Sequence, residues 1–395
     1  MFDALWRDLD GVGLEARHRA KLTDNASVTV RTSTLATLLA SRAIAVAFAL
    51  CLTLHAVPTA EAAPSPKKAI WGPARVDGRS QFPIYRDLGV GIYQTAINWN
   101  TVAPTRPAHP TDPADPAYRW PEELDFVVRE ARRYGIRVSL QLVFSPSWAN
   151  GGRSPQWAPR PGKFADFATA AARRYPSVRH WMVWGEPSRR PNFRPLPPNR
   201  STGPRIYSRI LDAAYGALKH VRPRNLVIGG NTFTAGDVKP LHYIRSMRLP
   251  GGRPPRMDLY GHNPFTSRPP ALWRPYVGSG YADFSDLDTL ARWVDRYLGR
   301  RGGRHIKLFI SEFTVPTDHA NHVFPFHVSR RTQAAWLGAA LRITRRWPRI
   351  YTFGWFGLYD ETPNGPGGTS GDEANWGLFD WRGRRKPAYE VYKRG

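Results

Sequence analysis

Cysteine is nearly absent from the 395 residues: there is one, Cys51. With no second thiol the chain builds no internal disulfide and no Cys-based metal cluster. Acidic residues are scarce beside basic ones, 31 Asp and Glu against 57 Lys and Arg, which leaves a net charge of +26. No apolar run reaches the roughly 20 residues that span a bilayer. No Gly-rich phosphate loop follows a strand-like segment, which argues against a dinucleotide fold. No Gly-x-Ser-x-Gly elbow is present, which counts against an esterase. The basic residues are spread along the chain with no arm or basic helix, so nucleic acid is not the expected partner. The charge instead favours electrostatic association with an anionic cell wall or membrane surface.

What is abundant is aromatic. The chain holds 15 Trp, 16 Tyr and 18 Phe, and hydrophobic residues make up 42% of it, enough for a large core. Exposed aromatic faces commonly stack on sugar rings or bases.

The cysteine lies in the longest apolar stretch, Ala43 to Val57, which follows Arg42 and precedes "TAEAAP". Ala60 and Ala62 stand at the small-residue positions of a signal-peptidase site. Residues 1–62 are therefore read as an N-terminal extension and export signal, cleaved after about Ala62 or kept as an uncleaved anchor. Residues 63–395 form the mature domain, secreted or held at the cell envelope.

From Lys67 onward, strand-like and helix-like runs alternate. "KKAIWG", "GIYQTAINW", "IRVSLQLVF", "VRHWMVW", "NLVIGGN", "MDLYGHN", "IKLFISEF" and "RIYTFGWFGL" read as eight strands. Helical spacing appears between them, as in "PEELDFVVREARRYG", where Leu124, Val127, Val128 and Ala131 share a face before Gly135. "SDLDTLARWVDRYLG" opens with Ser285 three residues before Asp288, a capping pattern. Eight such units in about 330 residues predict a single-domain α/β fold, the (β/α)8 TIM barrel, with an open doubly wound sheet as the alternative.

In such a barrel, chemistry sits where strands end. Glu186 ends the fourth strand in "VRHWMVWGEP", and Glu312 ends the seventh in "KLFISEFTVPTD". Strands four and seven face each other across the ring. Two carboxyls meeting there suit hydrolysis of a glycosidic bond, where one donates a proton and the other attacks the anomeric carbon. A separation of ~5–5.5 Å would give retention of configuration. "HANHVFPFH" gathers His319, His322 and His327, but a Pro breaks the run and the spacing is not that of a zinc helix. No metal and no cofactor is expected.

These motifs, in this order, resemble clan A of the glycoside hydrolases, the 4/7 superfamily, nearest to families 5 and 39. The resemblance runs from about Ile70 to Tyr392. "WMVWGEP" resembles the acid/base motif of those families, "LFISEF" their nucleophile strand, and "NWGLFDWRGRRKPAYEVYK" their closing tail. It implies Glu186 as acid/base, kept protonated by burial against aromatics such as Trp184, and Glu312 as a nucleophile held ionised by hydrogen-bond donors. It implies Trp355 as the floor of the cleaved subsite; Trp99 and Trp148 are read as platforms, Trp184 as a further sugar-binding residue, and Asn98, Tyr359 and Trp376 as weaker candidates. Two positions depart from the family. Gly185 stands where Asn usually contacts the sugar 2-hydroxyl, and "HNPF" replaces the common His-x-Tyr, making His262 and Asn263 the substitutes. The function implied is a retaining glycosidase acting on a β-linked poly- or oligosaccharide, a monomer with a carbohydrate substrate. A catalytically impaired carbohydrate-binding barrel is the alternative that Gly185 keeps open. The loop "DETPNGPGGTSGDEANW" reads as a mobile rim over the cleft.

Overall fold

The computed structural model describes residues 64–273, 280–321, 324–363 and 374–395. Residues 1–62, read above as an export signal, His322 and most of the Gly-rich stretch read as a rim lie outside these residues. No helix among the described residues is long and apolar enough to cross a membrane.

Eight parallel strands close into a barrel. They are β1 (Ser65–Trp71), β2 (Val90–Asn98), β3 (Arg137–Val143), β4 (His180–Val183), β5 (Leu226–Phe233), β6 (Leu259–Asn263), β7 (Lys307–Phe313) and β8 (Ile350–Phe356). Each pairs with its neighbours in sequence, and β1 closes on β8 with Lys68 opposite Phe353 and Ile70 opposite Trp355. A helix follows every strand: α1 (Phe82–Asp87), α2 (Glu122–Arg133), α3 (Pro161–Arg174), α4 (Thr202–Val221), α5 (Pro240–Ser246), α6 (Leu287–Leu298), α7 (Arg330–Arg346) and α8 (Pro387–Arg394). The TIM barrel read from the alternation of segments is the fold observed.

Helix starts follow local chemistry. Pro occupies the first turn of α1, α3, α5 and α8, where its missing N–H removes an orphan donor. The capping box before α6 lies two residues earlier than the sequence pattern placed it. Asp283 accepts from the backbone N–H of Ser285, and Asp286 closes the box through a single turn of tighter helix. Ser285 is the donor there, not the cap.

The main core fills the layer between strands and helices. A second, smaller cluster plugs the barrel, with Ala69, Ile92, Met182, Ile228, Leu259 and Phe309 drawn from six different strands. This is the layered interior of a packed ring. A polar layer lies next to it. Gln94 Nε2 donates to the Ser311 carbonyl at 2.8 Å, and Gln141 Nε2 reaches the thioether of Met182 at 3.1 Å.

The first and last elements are fastened together. Lys68 Nζ donates to the Tyr392 carbonyl at 2.7 Å, and the Tyr392 hydroxyl donates to the Ala69 carbonyl at 2.9 Å. Lys393 and Tyr389 of α8 both bind Asp87 at the end of α1.

Candidate active site

The backbone turns sharply where the central strands end. Phe144, Trp184, Glu186 and Asn231 all have positive φ, between 41° and 68°. Left-handed backbone is unfavourable for such side chains and persists only where the surroundings hold it. At Trp184 it breaks the alternation of β4. Met182 points into the barrel, whereas Trp184 turns outward onto Phe164, Phe193 and Phe144. Two residues on, Glu186 is buried and bonded to Asn263 of β6.

Glu186 is met by three donors. Arg189 Nη1 reaches Oε2 at 2.6 Å and Asn192 Nδ2 reaches the same oxygen at 3.1 Å, while Asn263 Nδ2 reaches Oε1 at 2.9 Å. The Arg189 and Glu186 side chains are 4% and 8% exposed, so this ion pair is shielded from water. The loop makes the contact possible through successive turns. Arg189 N–H bonds the Glu186 carbonyl and Asn192 N–H bonds the Arg189 carbonyl, which puts residues 186, 189 and 192 on one side. Trp184 acts on the glutamate only indirectly, since its Nε1–H holds the Asn192 carbonyl at 2.8 Å.

Glu312 sits where the pairing of β7 with β8 shifts register between Ile310 and Phe313, an irregularity of the kind that re-aims a side chain. It keeps part of its surface open. Its carboxyl is raised to about 8, first by burial and then by the charge of Glu186; Arg189 and a hydrogen bond from Asn263 oppose the rise. Asn263 bonds Glu186 and also bears on the Glu312 carboxyl, and its own Oδ1 has no hydrogen-bond partner.

The electrostatics reverse the sequence expectation. Glu186 was to be walled by aromatics and Glu312 ringed by donors. Instead the donors, including a guanidinium, gather on Glu186, and Glu312 faces the like charge of Glu186. The cause is the loop after β4, whose cation and amide lie three and six residues past the glutamate. Those residues, Arg189 and Asn192, were not singled out from the sequence. Their spacing from Glu186 in "GEPSRRPNF" is the signal that would have found them.

The candidate sugar-binding residues divide sharply. Asn263 is at the site. His262 is not available to a ligand: it is fully buried, its Nε2–H donates to the Ala282 carbonyl at 2.8 Å, and its Nδ1 accepts from the Thr232 hydroxyl at 2.9 Å. Burial lowers its pKa to about 4, so the ring is neutral. Trp99, Trp184 and Trp355 have no exposed surface on which a sugar could stack. Trp99 lies flat against Phe167 at 5.0 Å between ring centroids, and Trp355 packs on Phe313. Trp148 alone of the four is partly open, with Lys163 above its ring and its Nε1–H on the Ala103 carbonyl. Asn98 is exposed, Tyr359 stacks on Phe379, and Trp376 packs between Phe324 and Phe356.

Gly185 has a steric reason. A Cβ there would lie 2.9–3.1 Å from the carboxamide of Gln141, so that side chain fills the space a residue at 185 would need. Among the described residues no three His, Cys, Asp or Glu side chains form a metal-binding group. His319 is engaged with Asn375.

Solved structures share this architecture. A family 39 glycoside hydrolase from the gut symbiont Bacteroides cellulosilyticus WH2 superposes with a TM-score of 0.61 at 18% identity, over 85% of this chain and 64% of that one. A monomeric β-xylosidase from Caulobacter crescentus CB15 gives 0.57 at 16% identity, over 83% and 67%. A family 39 enzyme from Xanthomonas axonopodis pv. citri gives 0.55 at 16% identity, over 84% and 66%. The chain thus spans about two thirds of the length of these proteins, and at such identities the likeness is one of fold. No protein-family model and no curated protein matches the sequence.

Proposed function

We propose that the protein is a retaining glycoside hydrolase that cleaves β-linked glycans by double displacement, with Glu312 as nucleophile and Glu186 as acid/base. The observation that carries this reading is the meeting of two carboxyls from facing strand ends of one barrel, Glu186 bonded to the buried amide of Asn263 and Glu312 near enough to feel the charge of Glu186. Two glutamates so joined suit a bond whose cleavage needs an acid and an anion together. The fold shared with family 39 enzymes, one of them a β-xylosidase, supports the same chemistry.

In the first step a Glu312 oxygen bonds the anomeric carbon as the glycosidic C–O bond breaks, and the departing oxygen takes the proton of Glu186. In the second, water attacks that carbon, gives its proton to Glu186, and releases Glu312 as the carboxylate. The chain acts as a monomer, as the Caulobacter neighbour is described. Residues 1–62 direct it out of the cytoplasm, where its +26 charge favours an anionic wall or membrane surface.

The experiment is turnover of aryl β-glycosides by Glu186→Gln and Glu312→Gln, with mass spectrometry after exposure to a 2-fluoro aryl glycoside. Loss of several orders of magnitude in both variants and a covalent adduct on Glu312 are expected. Near-normal turnover in either variant refutes the assignment. The ion pair between Arg189 and Glu186 favours a second reading, a sugar-binding barrel that has lost its chemistry. That reading predicts glycan binding with no adduct.

A further inference from the structure

Trp273 lies mostly in water, 69% exposed. A single exposed indole would need no explanation, but this one borders a groove of about 790 Å³ that also takes in Trp347. The groove runs on the outside of the barrel along α6, past the short hairpin that pairs Arg300–Arg301 with Arg304–His305, to the turn before β8. Lys307, which opens β7, lines it. Glu312 lies toward the other end of that strand, about 16 Å further on.

The floor of the groove is already set. Asp288, Arg292 and Asp295 follow one another at helical spacing on one face of α6. Arg292 holds Asp288 at 2.8 Å. Arg349 grips Asp295 through both terminal nitrogens, at 2.6 and 3.1 Å, and His305 reaches the same carboxylate at 3.0 Å. The two carboxylates are two helical turns apart, about 11 Å. Trp273 stands at the first, with the Arg292 guanidinium 5.9 Å from its ring, and Trp347 lies toward the second, just ahead of Arg349 in the chain. The charges do not balance. Both carboxylates are taken by Arg, while Arg304 and Lys307, both exposed, face no carboxylate among the described residues. Lys67 of β1 feels the surplus: its pKa is lowered by burial first and by the charge of Lys307 second.

We infer that this groove is a second glycan site, remote from the glutamates, which holds a strand of acidic polysaccharide with the two indoles against sugar faces and Arg304 and Lys307 on the anionic groups. The inference rests on the association with an anionic surface proposed above, not on the hydrolase reading, and names the partner. A pyranose ring offers a face of C–H groups that an exposed indole covers while the hydroxyls stay wet. Asp288 and Asp295 keep lone pairs for those hydroxyls, because an ionised carboxylate accepts at about four sites. The same carboxylates oppose a backbone of closely spaced phosphates, which disfavours nucleic acid. A lipid surface is flat, whereas this one is concave. The ion pairs of the floor are formed before any ligand arrives, so little order is lost on binding.

The test is isothermal titration calorimetry with carboxymethyl cellulose and with neutral hydroxyethyl cellulose, at low and at high salt. The full chain carries Glu312→Gln so that no polymer is cleaved. At low salt the acidic polymer should bind about tenfold more tightly than the neutral one. Trp273→Ala should weaken the acidic polymer about tenfold at either salt, because stacking is not screened. Arg304→Gln with Lys307→Gln should weaken it about tenfold at low salt and little at high salt. Arg132→Gln with Arg209→Gln removes the same charge from exposed positions outside the groove and should change affinity less than about twofold. Equal affinity for both polymers overturns the inference. So does a Trp273→Ala protein that binds as its parent does, or a control pair that loses as much as the groove pair. Trp273-dependent binding of anionic lipid vesicles or of oligothymidylate in place of the acidic polymer overturns it too. The groove variants alter different side chains, so each decides if the other does not fold. Affinity for the acidic polymer that ignores every groove substitution overturns this site and leaves the anionic-surface reading standing; no affinity for any polyanion overturns both.

Discussion

Replacing Glu312 with Gln should stabilise the protein above neutral pH while abolishing turnover. In the folded state the Glu312 carboxyl is raised from 4.5 to about 8, by burial first and by Glu186 second. Between those values the folded chain holds a proton that the unfolded chain has lost. Stability therefore falls as pH rises across that window and levels off above it. The ionised folded state is disfavoured by on the order of 5 kcal/mol. A domain of some 330 residues melts with an entropy of roughly 0.7 kcal/mol/K, so the full effect is about 7 °C in Tm. Gln carries no charge and nearly the same volume. Melting curves of wild type and Glu312→Gln should coincide near pH 5 and separate by several degrees at pH 8.5, with the variant higher. Differential scanning calorimetry across pH 5–9 measures this. A Tm difference that stays constant over the range would refute the electrostatic reasoning and put the two carboxyls out of each other's reach.

Three further outcomes follow from contacts at and near the site. Gly185→Ala should cost about 1–3 kcal/mol in chemical denaturation through overpacking on Gln141, and Gln141→Ala should recover most of it; simple additivity in the double variant would show that the two residues do not touch. His262, lowered to about 4 chiefly by burial, should make stability fall as pH drops from 6.5 to 4; His262→Gln, which does not titrate, should lose that slope, leaving the part due to buried His180, and an unchanged slope refutes it. Lys386 and Asp360 are 0% and 1% exposed at 2.9 Å, so Lys386→Met should cost about 3–5 kcal/mol by urea titration, and a loss below 1 kcal/mol would mean the carboxylate finds water or another donor.

The barrel was legible because each buried strand is a short apolar run with a turn signal behind it, and those runs survive reading in one dimension. Both glutamates were legible for the same reason, since each marks the end of such a run. The Trp residues were not. Trp184 follows directly on β4, and period-two alternation puts it inside; its left-handed backbone sends it outward instead, and nothing in the neighbouring letters shows that φ is 68°. Trp99 opens a single helical turn and stacks on Phe167, a contact set by where α3 lies. The raised pKa of Glu312 was equally hidden, because it depends on Glu186, Glu312, Arg189 and Asn263 meeting from three places in the chain.

The clasp between β1 and α8 bears on how the chain comes to be folded. β1 pairs with β8 nearly three hundred residues downstream, and α8 is then pinned to β1 and α1 by Lys68, Tyr392 and Asp87. A ribosome delivers these partners long after β1 has emerged. Until they emerge, one side of β1 offers unmatched amides and carbonyls to any extended peptide nearby, the condition under which nascent β-proteins stick to one another. A cell making this protein quickly would need a chaperone to hold that edge, and slowing synthesis should raise the soluble yield.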